Sequence, residues 1–260
     1  WDVSKVTTFW GTFAYAEVFT SDLSSWDVSK STSFYYMFAG GRTGRPDSIF
    51  NSDLSTWDVS NAKSGLTGLS SMFRDAKSFN SDLSKWNFPK VTMLTSTFFG
   101  ASSFNSDLSN WDVSQMESLN SMFRYATSFN SDLSGWDTSN VLSTQSMFAG
   151  ASSFNSDLSN WDVSNVIYIA SMFASATAFL ADSMDLSSWD VVTATDKGLN
   201  VGFTADSLAS CAWASSDAPK FQGCEYCEDC TSNNMVCKVG SGSFTCNCDI
   251  GHYKNVAGDN

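Results

Sequence analysis

Residues 111–135 read WDVSQMESLNSMFRYATSFNSDLSG, and at Trp136 the same string begins again. Its tryptophan recurs as Trp1, Trp26, Trp57, Trp86, Trp111, Trp136, Trp161 and Trp189, at spacings of 25, 31, 29, 25, 25, 25 and 28 residues. A unit of this length cannot bury an apolar face alone, whereas stacked copies share one continuous core; the period therefore predicts a solenoid. Within the unit, Leu108, Trp111 and Val113 follow an L-x-x-L-x-L pattern, in which Trp111 and Val113 share a face at the two-residue strand period. Met116, Leu119, Phe123 and Ala126 then fall at helical spacing. Phe129 returns the chain inward, and Asn130-Ser131-Asp132 is turn chemistry before Leu133. The predicted fold class is an α/β repeat solenoid, with one short parallel strand, one short helix and one polar return turn per coil.

The departures from the period fit that reading. Extra residues fall at 40–47, 61–65 and 180–185, three different points of the coil, where each can bulge outward without breaking the stack. In one copy Asn87-Phe88-Pro89 replaces Asp-Val-Ser, which is expected to weaken a strand ladder there.

The repeated string W-D-V-S-x-V-x-x-x-x-x-M-F-x-x-A-x-x-F-N-x-D-L-S resembles the BspA-like leucine-rich-repeat surface proteins and the related mycoplasma-lipoprotein-type repeats. The resemblance implies a cell-surface or secreted protein used in adhesion, recognition or envelope structure, and it implies no enzyme. It covers residues 1–188, after which 189–223 read as a cap over the open end of the core, with Leu199, Phe203, Leu208 and Trp213 irregularly spaced.

All seven cysteines follow the repeats: Cys211, Cys224, Cys227, Cys230, Cys237, Cys246 and Cys248. A small cysteine-dense module is what an oxidising compartment produces. The stretch 242–253, GSFTCNCDIGHY, resembles the second half of an EGF-like domain, so 224–260 is expected to be such a module, truncated before its last cysteine. That resemblance implies the pairs Cys224–Cys237 and Cys230–Cys246, leaving Cys211–Cys227 and sending Cys248 to a residue outside 1–260; Cys227 as the first EGF cysteine is an alternative. Cys224-x-x-Cys227-x-x-Cys230 also has zinc-like spacing, but no second well-spaced pair accompanies it. The chain opens in mid-motif, so a longer polypeptide is expected.

Composition narrows the partners. The chain has 27 Asp+Glu against 14 Lys+Arg, a formal net charge of −13, which opposes nucleic acid and anionic membrane surfaces. No apolar run reaches the ~20 residues of a membrane span. Its one histidine, His252, and the absence of a nucleophile elbow, P-loop or HExxH string leave catalysis without a candidate residue.

Half of the acids, 14 of 27, fall in two columns, Asp2, Asp27, Asp58, Asp112, Asp137, Asp162 and Asp190 beside the tryptophans, and Asp22, Asp53, Asp82, Asp107, Asp132, Asp157 and Asp185 in the turns. Like charges stacked about 4.8 Å apart repel by roughly 1 kcal/mol per pair in water, so something must relieve them. Hydrogen bonds from backbone amides and hydroxyls, building ladders along the stack, are the expected relief, with Asn110 and Ser114 flanking Asp112; calcium held at Asp107, Asp132 and Asp157 is the alternative, and no other cofactor is expected. Asn51, Asn80, Asn105, Asn130 and Asn155 read as an asparagine ladder. The tryptophans share the inward phase and read as core, while Trp10, Tyr35, Tyr125 and Tyr168 fall at outward positions.

Two functions follow as expectations. One is an extracellular interaction module that binds a protein or glycan through the strip Asn110, Asp112, Ser114, Asp137, Ser139, Asn160, Asp162 and Ser164. The other is a subunit of an extracellular fibre or flagellar-hair-like filament, with copies of itself meeting through other surfaces, Arg42 and Arg45 of the first insertion among them.

Overall fold

The computed structural model describes residues 1–41, 47–179 and Trp189, together with the backbone of three strands, β1 (Cys211–Trp213), β2 (Met235–Gly240) and β3 (Ser243–Cys248). The strands form one antiparallel sheet in the order β1-β2-β3, and its register sets Cys211 opposite Cys237 and Cys237 opposite Cys246. The expected cap, the EGF-like side chains and the disulfide pairs lie outside the described residues.

In the repeats, each coil is a succession of tight turns that join inward residues three apart. The amide of Trp111 donates to the Leu108 carbonyl (3.0 Å), Met116 to Val113 (2.8 Å), Met122 to Leu119 (3.2 Å), Ala126 to Phe123 (3.0 Å) and Phe129 to Ala126 (3.1 Å). Every one of these residues is buried. The turns thus satisfy main-chain donors at the points where apolar side chains enter the core.

The local conformation differs from the sequence expectation in two places. Residues 116–126, spaced like a helix, form no helix; their amides alternate between two kinds of acceptor. Leu119, Ser121, Phe123 and Tyr125 donate to the carbonyls of Ser143, Gln145, Met147 and Ala149 in the next copy, at 2.8–2.9 Å, while Met122, Arg124 and Ala126 bond back three residues within their own copy. The left-handed backbone at Ser121 (φ 54°) and Tyr125 (φ 60°) makes this alternation, and it is incompatible with a right-handed helix. The second difference concerns the strand position. Parallel pairing falls on Met93, Ser118, Ser143 and Tyr168 rather than on Trp111–Val113, because the Ser114 amide there is taken by its own Asp112.

Side chains supply the remaining cross-copy bonds. Each indole from Trp57 onward donates through Nε1 to the leucine carbonyl of the copy before: Trp57 to Leu23, Trp86 to Leu54, Trp111 to Leu83, Trp136 to Leu108, Trp161 to Leu133 and Trp189 to Leu158, at 2.9–3.0 Å. Serine hydroxyls in the return turn accept the amide of the preceding copy's leucine, as Ser131 does from Leu108 and Ser156 from Leu133, both at 3.0 Å. The asparagine column is a ladder as expected: the amides of Asn80, Asn105, Asn130 and Asn155 donate to Oδ1 of the asparagine one copy earlier, at 2.7–2.8 Å.

Two columns of phenylalanine run through the core. Phe73, Phe98, Phe123, Phe148 and Phe173 stack at 5.6–5.7 Å with interplanar angles of at most 9°. Phe79, Phe104, Phe129, Phe154 and Phe179 stack at 5.6–6.0 Å with interplanar angles of at most 14°. Within each copy the two rings lie face to face, 3.7 Å apart for Phe123 and Phe129. Phe88, the substitution in the divergent copy, is buried and meets the Trp111 ring edge-on at 4.8 Å, so it adds to the core where no main-chain ladder existed to weaken.

Asn130 gives a small but clean test of the ladder. Alanine there removes the acceptor for the Asn155 amide, and an expected loss of about 1 kcal/mol in urea unfolding follows. Asn130→Asp keeps the acceptor, so a loss as large as that of alanine would place the effect elsewhere.

Candidate functional site

The expected strip Asn110, Asp112, Ser114, Asp137, Ser139, Asn160, Asp162 and Ser164 lies at the surface, on a non-strand edge of the stack. Its carboxylates close local rings. Oδ1 of Asp112 accepts from the Ser114 amide (3.0 Å) and hydroxyl (2.6 Å); Asp137 accepts the same pair from Ser139 and Asp162 from Ser164. Asp107, Asp132 and Asp157 each accept the amide of the serine two residues on, at 2.9 Å. Relief of the acidic columns therefore comes chiefly from within each copy. Among the described residues no group of three or more Asp, Glu, His or Cys is arranged to hold a metal ion, and no helix is long and apolar enough to cross a membrane.

These bonds set the acid response. The serine hydroxyl, then the serine amide, holds Asp2, Asp27, Asp58, Asp112 and Asp162 below the usual carboxylate range. For Asp22, Asp82, Asp107 and Asp132 the amide is the larger cause. Repulsion from Asp82 and Asp132 pushes Asp107 the other way but is the smaller effect. Among the described aspartates with a shift, Asp75 is the one that is raised, by burial, with Arg74 opposing. A depressed carboxylate contributes stability above its unfolded pKa, and that contribution disappears as pH falls through the folded value. Asp75 has the opposite sign, favouring the folded state when protonated. The nine lowered groups outnumber it, so the melting temperature is expected to hold between about pH 7 and 5 and to fall below about pH 4. Fluorescence-detected melting across that range checks this; a melting temperature that rises below pH 4 contradicts it.

A second surface carries the residues that differ between copies. The strings after the tryptophan and around the asparagine repeat nearly unchanged, whereas one column of the cross-bonded segment reads Trp10, Tyr35, Ser70, Thr95, Asn120, Gln145 and Ala170, with Ser70 buried and the others at least partly exposed. Trp10, Tyr125 and Tyr168 are 64%, 47% and 49% exposed, as their outward phase predicts; Tyr35 is partly covered, with Trp10 edge-on at 5.6 Å and Tyr36 at 4.6 Å.

The next column places Arg74, Phe99 and Arg124 in three successive copies. The Arg74 guanidinium lies 4.1 Å from the Phe99 ring centre and that of Arg124 lies 5.7 Å from it, so one ring serves both cations. Arg74 pairs with Asp75 at 3.4 Å. Arg124 sits 5.0 Å from the Tyr125 ring and donates through Nη2 to the Tyr125 hydroxyl at 3.2 Å. Its Nε is enclosed and has no acceptor. Two glycines make room: a Cβ on Gly100 would collide with the Asp75 carboxylate, and one on Gly150 with the Tyr125 ring. Arg74, Phe99 and Arg124 recur at the plain 25-residue spacing, but their column changes residue type from copy to copy and so does not stand out in the sequence.

Comparison with known proteins decides the family. A family model described as Mycoplasma protein of unknown function, DUF285, matches three overlapping stretches, residues 1–111, 50–150 and 102–204. The chain belongs to this family. The three matches follow the internal repeat, and the DUF285 description assigns no activity. No curated protein and no solved structure matches the chain.

Proposed function

We propose that this DUF285 chain is a non-catalytic, extracellular recognition module, a repeat solenoid of leucine-rich-repeat type that binds a surface protein or glycan. The observation that carries the reading is the division between constant and variable positions. Tryptophan, leucine, phenylalanine, asparagine and serine columns bind copy to copy, and positions that change from copy to copy lie on the cross-bonded face, as Trp10, Tyr35, Thr95, Asn120, Gln145 and Ala170 do, as well as directly before each tryptophan. A repeat protein that served only as a spacer needs no such variation, whereas a stacked surface that reads a partner gains its specificity there. The cysteine-rich tail supports an oxidising location. Self-association into a fibre is the rival, opposed by a net charge of −13.

Two variants separate the readings on an array of glycans and matrix proteins, with sedimentation run in parallel. Replacing Trp10, Arg124 and Tyr125 by alanine is expected to remove the array binding of the parent chain, while Asp112, Asp137 and Asp162 changed to lysine leave it. Loss in the lysine variant alone would return recognition to the acidic strip. An absence of array binding together with long assemblies in sedimentation would establish the fibre.

A further inference from the structure

Resting on the recognition reading, we infer that Arg124 and Tyr125 form a subsite for a sugar residue bearing a carboxylate. The two arginines flanking Phe99 differ in one respect that matters for binding. Arg74 has its anion in Asp75, whereas Arg124 has no acidic partner among the described residues. Arg124 is half-buried, its Nε is sealed without an acceptor, and the Tyr125 hydroxyl is a neutral hydrogen-bond partner for the charge. A cation held this way gains from an anion docking on its remaining Nη hydrogens, and a planar guanidinium presents them in the geometry of a carboxylate.

The ring beside it selects the carrier. Tyr125 is 47% exposed, and its backbone lies in the left-handed region at φ 60°, with the ring against Gly150, where no Cβ obstructs it. A rigid aromatic ring with a wet hydroxyl edge suits the apolar face of a pyranose. An acidic protein surface, a second copy of this chain included, brings many negative charges against a chain of net −13. A sugar with one carboxylate confronts little of that repulsion.

The test uses cellobiouronic acid, with one carboxylate, and cellobiose, its neutral counterpart, followed by ligand-observed NMR on the whole chain. The acid is expected to bind about tenfold more tightly, with the preference shrinking as salt is raised. Arg124→Met should remove the preference, weakening the acid far more than cellobiose; Arg124→Lys should keep part of it; Tyr125→Ala should weaken both sugars. Melting curves establish that each variant is folded. Equal binding of the two disaccharides, no binding of either, or a preference that survives Arg124→Met overturns the subsite. If the array binding described above depends on this face while cellobiouronic acid shows no preference, the recognition reading stands and this inference fails.

Discussion

Replacing Trp111 by alanine is expected to lower the unfolding free energy by about 3–5 kcal/mol, the range for deleting a large aromatic from a packed core. The indole is 4% exposed, lies against Phe88 at 4.8 Å and Phe98 at 6.2 Å, and donates to the Leu83 carbonyl at 2.9 Å. Its loss opens a cavity between copies and removes a bond that crosses from one to the next; the Leu83 carbonyl keeps its second donor, the Trp86 amide. Trp10→Ala removes the same side chain from a position 64% exposed and is expected to cost under about 1 kcal/mol. Urea unfolding of the two variants decides the matter. Small, equal losses at both would contradict the inward assignment.

Phe123→Ala is expected to be as damaging and to leave a second signature. Its fully buried ring meets Phe129 at 3.7 Å within the copy and Phe98 and Phe148 at 5.7 Å on either side. About 3–5 kcal/mol is lost with the ring, and Phe123→Leu, which fills part of the space, should lose less. In a linear array, stability is a sum of copy and neighbour-interface contributions, so a weak central interface uncouples the two sides. Unfolding of Phe123→Ala should therefore broaden or divide into two steps where the parent shows one. A single, equally sharp transition at lower denaturant would show that the columns do not couple the copies.

The inward columns were legible because a 25-residue period compares each position with itself. Leu108, Trp111, Val113 and Phe129 recur as apolar whatever the local backbone does. The backbone between Met116 and Ala126 was not legible, because apolar residues three and four apart serve a chain of turns as well as a helix. What separates the two is the left-handed conformation at Ser121 and Tyr125, which neither residue type announces. A signal did exist in the neighbouring copies: Gly11 shares the column of Ser121, and Gly100 and Gly150 share that of Tyr125. For the acidic columns, the residue types pointed to hydrogen-bonded carboxylates, but Asp-x-Ser closes within one copy and the sequence alone does not set that direction. Arg74, Phe99 and Arg124 stand at the plain 25-residue spacing, yet their column changes residue type from copy to copy, and only the contact of a cation with a ring across copies gives the positions a meaning.

The parallel rings also determine how the molecule absorbs polarised light. Trp136 and Trp161 lie 6.1 Å apart at an interplanar angle of 5°, Trp26 and Trp57 6.4 Å apart at 3°, and the phenylalanine columns run beside them. Chromophores held so closely in a fixed handed array share their excited states, and the backbone of the described repeats holds no α-helix to mask them. The far-ultraviolet circular dichroism of the repeats becomes a readout of aromatic alignment, lost coil by coil as the stack opens.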